Sequence, residues 1–301
     1  MRFIWTIISA LLITCPLSAQ VSKTTNQAVY QLEQFKITPE ELDHSFSVSI
    51  ALPPSYNTNL EQHFPVLYVL DGHLTFTLTE GLAKWLFRES GERALEEFVI
   101  VGIDYEFDPD MNWEQMDRHW FLSRYHDMTP TETYSKRHTM TIKGLAPKFL
   151  NFLTKELAPE IEKRFRIKTN DRALAGYSLG GLFAAYAMLT EPQYFNRYLI
   201  GDPALWYGAD DGLDNYAILD HLKAYSARNK NLNARIYISS NGQSGSAMVN
   251  SINKFISAIE AAAFHSVKLK IDRFPDENHY TGVPLAFSNG LQHLFKIVRD
   301  D

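Results

Sequence analysis

Two nearly continuous apolar runs, at residues 64–72 and 97–105, restrict the fold of this chain more than any other feature. They read FPVLYVLDG and EFVIVGIDY. Runs of this kind are typical of strands that are covered on both faces, as in a parallel sheet. The residues between them, 74–90, have a helical pattern. The first third of the chain therefore predicts two buried strands separated by a helix.

The second half of the chain repeats this alternation. Four more strand candidates read RALAGYS, RYLIGDP, ARIYISS and SVKLKIDRF, and helical patterns follow them at residues 179–189, 213–227, 246–263 and 284–298. Strands that alternate with helices predict the α/β class, with a mostly parallel sheet and helices on both faces. A one-sided strand is expected at residues 46–52, where every second residue is apolar. No helix separates it from the run at 64–72, so we expect these two strands to form an antiparallel edge.

Residues 108–140 lack a clear periodic pattern. A run this long without secondary structure is usually functional or disordered, and its aromatic residues favour a folded wall beside a site. Apolar residues spaced by three and four then predict an amphipathic helix from residue 142 to 165. Pro147 or Pro159 is expected to kink or restart this helix.

The first 20 residues, MRFIWTIISALLITCPLSAQ, have the layout of a secretory signal peptide. An arginine precedes an apolar stretch, and Pro16 and small residues follow, which predicts cleavage after Ala19. A membrane anchor is the alternative, but the stretch is shorter than the roughly 20 residues that span a bilayer. Lipidation at Cys15 is a third possibility. We expect a signal peptide over residues 1–19 and a single domain over residues 20–301.

Charge and cysteine content narrow the partners and the compartment. The formal net charge is −6 and no run of lysine or arginine occurs, so neither nucleic acid nor, after signal cleavage, a membrane is an expected partner. Cys15 is the only cysteine. A chain cut after Ala19 would have no disulfide and no cysteine nucleophile, which suits a bacterial periplasmic or secreted protein. The sequence leaves the oligomeric state open.

The segment ALAGYSLGGLFAAY contains the motif G-x-S-x-G, with Ser178 at its centre. In this motif the serine lies on a sharp turn between a strand and a helix, and its hydroxyl projects above the sheet edge. A glycine-rich turn with a surface serine is the alternative. The apolar strand before the motif and the small-residue helix after it favour a nucleophile.

A serine nucleophile needs a base and an oxyanion hole. His279 follows the last strand candidate, in the chain order Ser then His, whereas His293 lies on the final helix and is expected to be structural. The N–H of Leu179 is one expected oxyanion donor. The second is expected from Gly72 or His73, in the loop after the strand at 64–70.

The acid that would orient the histidine is less clear from the sequence. The stretch after the penultimate strand, YISSNGQSGSAMV, offers Asn241 and Gln243 but no Asp or Glu. Asp202 is slightly favoured among the carboxylates, and Asp276 and Glu277 are alternatives. A Ser–His pair without a strong acid is also possible. Asp71 is expected to brace its loop.

Taken together, these residues resemble the putative-esterase family of α/β hydrolases, which includes enterochelin esterases, S-formylglutathione hydrolase and feruloyl esterases. The resemblance rests on FPVLYVLDG, RYHDMTPT, the segment from GYSLGG to DPALWY, and FPDENHYTGVPLAF. It implies an α/β-hydrolase fold, with Ser178 as nucleophile and His279 as base. It also implies that Arg124 and Asp127 border the acyl site and that Trp206 lines the pocket. The family often has an acidic residue where this chain has NGQSG.

The expected function is a serine ester hydrolase that needs no metal or organic cofactor and acts on a small-molecule ester. A siderophore or aryl ester is one expectation, and the sequence does not identify the substrate. An acyltransferase is the alternative among enzymes. A non-catalytic binding protein on the same scaffold is the alternative from another class, because fold alone does not determine function.

Overall fold

The computed structural model describes residues 32–88, 95–135, 139–208 and 216–297. The predicted signal peptide, the start of the helix expected at 213–227 and the end of the helix expected at 284–298 lie outside these residues. The strands are β1 Leu32–Ile37, β2 Phe46–Ala51, β3 Phe64–Leu70, β4 Val99–Tyr105, β5 Thr133–Ser135, β6 Met140–Ile142, β7 Ile167–Tyr177, β8 Arg197–Gly201, β9 Arg235–Asn241 and β10 Lys268–Phe274. The helices are α1 Gly72–Leu86, α2 Trp113–Asp127, α3 Ala146–Asn151, α4 Ala158–Arg164, α5 Leu179–Thr190, α6 Ala217–Arg228, α7 Ser246–Ala262 and α8 Val283–Phe295.

An eight-stranded sheet forms the centre of the molecule, in the order β1-β2-β4-β3-β7-β8-β9-β10. The strands from β4 to β10 in this order are parallel to one another. At the other edge, β2 pairs antiparallel with β4, and β1 pairs antiparallel with β2. The predicted mostly parallel sheet is therefore confirmed.

Helices cover both faces of the sheet. Along β3, Tyr68 and Leu70 pack into the larger apolar cluster, which includes the buried residues of α5. The intervening Leu67 and Val69 pack on the other face, together with residues of α8 such as Phe287. Because successive side chains of a strand point to opposite faces, this division explains why the sequence of β3 is apolar throughout.

The antiparallel edge is not assembled as predicted. β2 pairs with β4 rather than with β3, and β1, which the sequence analysis did not identify, pairs with β2. The crossover through α1 places β4 between β2 and β3. Strand order depends on this packing, so the local pattern of β2 could not reveal its partner.

The segment 108–140, which has no clear periodic pattern in the sequence, contains α2 and β5, and β6 begins at its end. Asn112 begins α2 with a capping box, in which its side chain accepts from the N–H of Gln115 and the Gln115 side chain accepts in return. β5 and β6 then form a short antiparallel pair. The buried residues of α2 are Arg124, Tyr125 and Asp127. Two of them are charged, so no apolar stripe marked this helix.

The helix predicted over residues 142–165 is interrupted rather than straight. Ile142 lies in β6, and α3 and α4 are joined by a π-helical segment, Phe152–Leu157. Pro147 and Pro159 each lie in the first turn of a helix, where the missing N–H costs little. The predicted restart at Pro159 matches the end of the π-helical segment.

Candidate active site

Ser178 lies on a strained turn between β7 and α5. Its φ of 60° and ψ of −117° are unusual for a residue with a side chain. The turn is fixed because Ser178 N–H donates to the carbonyl of Gly201 at 3.0 Å, and its carbonyl accepts from Ala204 N–H at 2.9 Å. A Cβ at Gly176 would lie 2.1 Å from the carbonyl oxygen of Gly180. The glycine at the start of the motif is thus required by this close approach.

His279 lies between β10 and α8, and its ring contacts a buried carboxylate. Its Nδ1 is 2.7 Å from Oδ2 of Asp202. Asp202 follows β8 and its side chain is fully buried. Of the carboxylates considered from the sequence, the structure brings Asp202 against the histidine, whereas Asp276 is exposed to solvent. The role of Asp202 as the acid of a triad stays a prediction.

The carboxylate of Asp202 accepts several other hydrogen bonds. Asn241 N–H donates to Oδ1 at 3.0 Å, while the Ser244 hydroxyl donates to Oδ2 at 2.5 Å. The Asn241 side-chain amide is 3.3 Å from the same Oδ2. These donors compensate for the loss of water around the buried charge. Asn241 and Ser244 come from the loop that lacks an acid, so this loop supplies donors instead.

A cavity of about 610 Å³ joins Ser178 to His279. Aromatic side chains form much of its wall, together with serines and a methionine. These residues are Phe121, Tyr125, Trp206, Tyr280, Ser244, Ser246 and Met248. Trp206 thus lines the same cavity as Ser178, and so do Phe121 and Tyr125 from α2, which no motif in the sequence indicated. The segment 108–140 does provide a wall of the site, as its aromatic content suggested.

The two expected sources of the oxyanion hole are not equivalent. Leu179 is the first residue of α5, and the first N–H groups of a helix have no acceptor within it. The N–H of His73, in contrast, donates to Oδ2 of Asp104 at 2.7 Å, and its ring contacts the same carboxylate. The expectation that His73 supplies a donor is therefore corrected, because Asp104 already occupies it. Gly72 remains the candidate in this loop.

Arg124 lies behind the turn rather than in the cavity wall. Its guanidinium makes a two-pronged ion pair with Asp71, with Nε to Oδ1 at 2.9 Å and Nη2 to Oδ2 at 2.7 Å. Trp120 donates to Asp71 as well, at 3.1 Å. Both charged side chains are buried. The resemblance implied that Arg124 borders the acyl site, which stays a prediction: its guanidinium is 3.4 Å from the carbonyl of Tyr177, but it does not line the cavity, and its donors hold the loop that begins α1.

Asp127 is also directed away from Ser178. Its Oδ2 is 2.7 Å from Nε2 of His44, and its side chain is fully buried. Both residues line a separate cavity of about 260 Å³. Burial alone would lower the pKa of His44, but the hydrogen bonds and charges of Asp127 and of Asp43 together outweigh it and raise that pKa. The expectation that Asp127 borders the acyl site is corrected, because this pair instead ties the end of α2 to the loop before β2.

Tyr177, directly before the serine, was not predicted as a site residue. Its hydroxyl donates to the carbonyl of His279 at 2.8 Å. Burial and the charge of Asp202 raise the pKa of Tyr177 well above its ordinary value, so the hydroxyl keeps its proton. The adjacency to Ser178 was the available signal, but the contact with a residue a hundred positions later was not visible in the sequence.

Neither a candidate metal site nor a candidate membrane span occurs within the described ranges. Those residues contain no group of three or more His, Cys, Asp or Glu side chains that could hold a metal ion. None of the helices in the same ranges is long and apolar enough to cross a membrane.

Several known proteins that resemble this chain are named as esterases or hydrolases. Ferri-bacillibactin esterase BesA of Bacillus subtilis is 25% identical over 238 residues, which cover 76% of this chain and 78% of BesA. The IroE-like serine hydrolase of Shewanella oneidensis is 25% identical with a TM-score of 0.72, covering 89% of this chain and 80% of that one. Siderophore hydrolase EstA of Aspergillus nidulans, at 19% identity, shares the fold with a TM-score of 0.74, covering 92% and 98% of the two chains. The chain has the α/β-hydrolase fold, and, because residues 40–280 match the family described as putative esterases, it belongs to that family.

Proposed function

We propose that this protein is an exported serine carboxylic-ester hydrolase that acts through an acyl-enzyme on Ser178. One observation carries the proposal. Ser178, on its strained turn, shares a cavity with His279, whose other face is hydrogen-bonded to the buried Asp202. Nucleophile, base and orienting acid are the groups that acyl transfer requires.

The reaction takes place in two steps. His279 Nε2 accepts the proton of the Ser178 hydroxyl as the oxygen attacks the ester carbonyl. The tetrahedral intermediate collapses, and the imidazolium gives the proton to the departing alcohol, which leaves an acyl group on Ser178. Water then attacks this acyl group with the same histidine as base, releasing the acid and the free serine. Asp202 holds the imidazole in the tautomer that this cycle needs.

The oxyanion of each intermediate needs donors that are already in place. The N–H of Leu179 and that of Gly72 are the proposed donors. Leu179 also begins α5, and the positive end of a helix dipole favours negative charge there. Arg124 binds Asp71, the residue before Gly72, and also contacts the carbonyl of Tyr177, so it holds the loop of Gly72 close to the turn of Ser178.

The proposed substrate is a siderophore ester or another ester with an aromatic group. The cavity wall supports this, because Phe121, Tyr125, Trp206 and Tyr280 offer ring faces to an aromatic acyl group. The names of the related siderophore esterases support the same class.

Two other functions are distinguishable from hydrolysis. An acyltransferase would give the acyl group to an alcohol faster than to water. A binding protein would hold the ester without forming an acyl-enzyme. The contact between His279 and Asp202 favours a catalytic protein, since a site used only for binding has no need of an oriented base.

The experiment is labelling with a fluorophosphonate, followed by kinetics. We expect the protein to be labelled at Ser178 and to hydrolyse p-nitrophenyl acetate and butyrate. Ser178→Ala should abolish labelling and lower kcat by about 10³-fold or more. Ser246→Ala, a serine of the same cavity wall, is the matched control and should keep both.

Product analysis separates the alternatives. A panel of siderophores, feruloylated sugars and simple esters, examined by mass spectrometry with and without an added alcohol, identifies the acyl acceptor. A protein that is neither labelled nor active on any ester contradicts the proposal and favours the binding protein.

A further inference from the structure

We propose that Asn241 is a positioning residue that holds both Asp202 and the loop of His279 in the geometry needed for catalysis. This inference rests on the proposed function. Asn241 ends β9 and is completely buried. It occupies the loop in which the sequence lacks the expected acid, and it does not line the cavity beside Ser178.

The side-chain amide of Asn241 lies among three oxygen atoms. Its Nδ2 is 2.6 Å from the hydroxyl of Tyr177, 3.0 Å from the carbonyl of Asn278 and 3.3 Å from Oδ2 of Asp202. The carbonyl and the carboxylate can only accept hydrogen bonds. The amide nitrogen, rather than its oxygen, must therefore face this group, because the reverse orientation would oppose acceptors to one another.

A chain of hydrogen bonds leads from this amide to the histidine. The Tyr177 hydroxyl donates to the carbonyl of His279, so it must accept from Asn241. The amide thus reaches the backbone of two successive loop residues, Asn278 directly and His279 through Tyr177. The backbone N–H of Asn241 at the same time donates to Oδ1 of Asp202 at 3.0 Å.

One buried residue consequently fixes both partners of the bond between His279 and Asp202. Gly282 packs closely against it, since a Cβ there would lie 2.3 Å from Nδ2 of Asn241. A larger residue at position 282 would therefore displace the amide of Asn241. A shift of about 1 Å in a catalytic group costs up to about 100-fold in rate, so loss of this contact should be visible in kcat.

The test compares Asn241→Asp and Asn241→Leu with the wild type, using p-nitrophenyl butyrate over a range of pH. Both variants should lower kcat by roughly 10- to 100-fold and leave KM nearly unchanged, because Asn241 does not line the cavity. An ionised Asp at this position adds negative charge near the imidazolium. Asn241→Asp should therefore move the acidic limb of the kcat/KM profile to higher pH, while Asn241→Leu should not.

Matched and conservative variants complete the experiment. Asn253, on α7, has its side chain paired with Arg273, and Asn253→Asp and Asn253→Leu should behave as wild type. Tyr177→Phe keeps the ring and removes the hydroxyl that links Asn241 to His279. We expect it to lower kcat, and it provides the test if the Asn241 variants do not fold. Wild-type kcat and pH profile in the Asn241 variants or in Tyr177→Phe would overturn the proposal, as would losses of kcat that only follow losses of thermal stability.

A measurement without substrate separates this proposal from the proposed function. The proton between His279 and Asp202 should give a far-downfield resonance in the NMR spectrum of the wild type. We expect Asn241→Leu to shift or lose it. If the wild type has no esterase activity but the resonance depends on Asn241, the proposed function fails and the positioning role holds. An unchanged resonance in Asn241→Leu contradicts the positioning role.

Discussion

Asp202 carries a buried charge at the point where the proposed mechanism needs one. A carboxylate removed from water is costly unless hydrogen bonds replace its hydration, and donors from Asn241, Ser244 and His279 surround this one. Its own backbone has a φ of 32°, which is rare for a residue other than glycine. A strained residue kept in place by several contacts is typical of functional sites.

Replacement of this carboxylate tests its role directly. Asp202→Asn should lower kcat/KM by roughly 10²- to 10⁴-fold, because a neutral amide no longer favours the correct tautomer of His279. Steady-state kinetics with p-nitrophenyl butyrate measures the change. Asp276→Asn and Glu277→Gln, beside the histidine in sequence, are the controls and should leave activity unchanged. A loss of comparable size in either control would move the acid away from Asp202.

Among the secondary-structure elements, α2 both lines the cavity and binds two neighbouring loops. It presents Phe121 and Tyr125 to the cavity, while its last two turns contact Asp71 through Arg124 and His44 through Asp127. These ion pairs lie on the buried side of the helix. No periodic pattern in the sequence indicated α2, because two of its three buried residues, Arg124 and Asp127, are charged.

The pair between His44 and Asp127 should make stability depend on pH. The pKa of His44 is raised in the folded state, because Asp127 and, to a smaller extent, Asp43 together outweigh the opposing effect of burial. The stabilisation is therefore complete below the unfolded pKa of about 6.5 and is lost as pH rises through the folded pKa. His44→Gln should lower the free energy of unfolding by roughly 1–3 kcal/mol at pH 5.5 and by less at pH 8.5.

Urea unfolding at the two pH values measures this difference. His63, an exposed histidine, provides the control His63→Gln, for which no dependence on pH is expected. A loss for His44→Gln that is equal at both pH values, or larger at pH 8.5, would show that protonated His44 does not stabilise the fold.

At the scale of the whole molecule, the parallel arrangement of β7, β8 and β10 brings the site together. Ser178, Asp202 and the loop of His279 follow the carboxyl ends of these three strands, which lie on the same edge of the sheet. The first and last of the three residues are separated by about a hundred positions in the chain. One domain is therefore sufficient for the proposed site.

The proposed export is tested on the full-length chain. When the full sequence is expressed in a Gram-negative bacterium, we expect a periplasmic protein. Its intact mass should match a chain that starts at Gln20, because the small residues before this position predict cleavage after Ala19. Ala19→Trp should block the cleavage and is the control. An intact chain that keeps Met1 in the cytoplasmic fraction would contradict the prediction.

The class of fold and the candidate nucleophile and base, Ser178 and His279, could be predicted from the sequence. Buried strands and their crossover helices are local patterns, and the glycine turn around Ser178 is a short-range requirement of the backbone. Other features depend on how the chain packs in three dimensions. β4 lies between β2 and β3, and the N–H of His73 donates to Asp104. Arg124 and Asp127 join α2 to the loops of Asp71 and His44. The same packing places the carboxylate of Asp202 within hydrogen-bond distance of His279. These features depend on contacts between distant residues, and a hydrogen bond across the fold leaves no periodic signal in the chain.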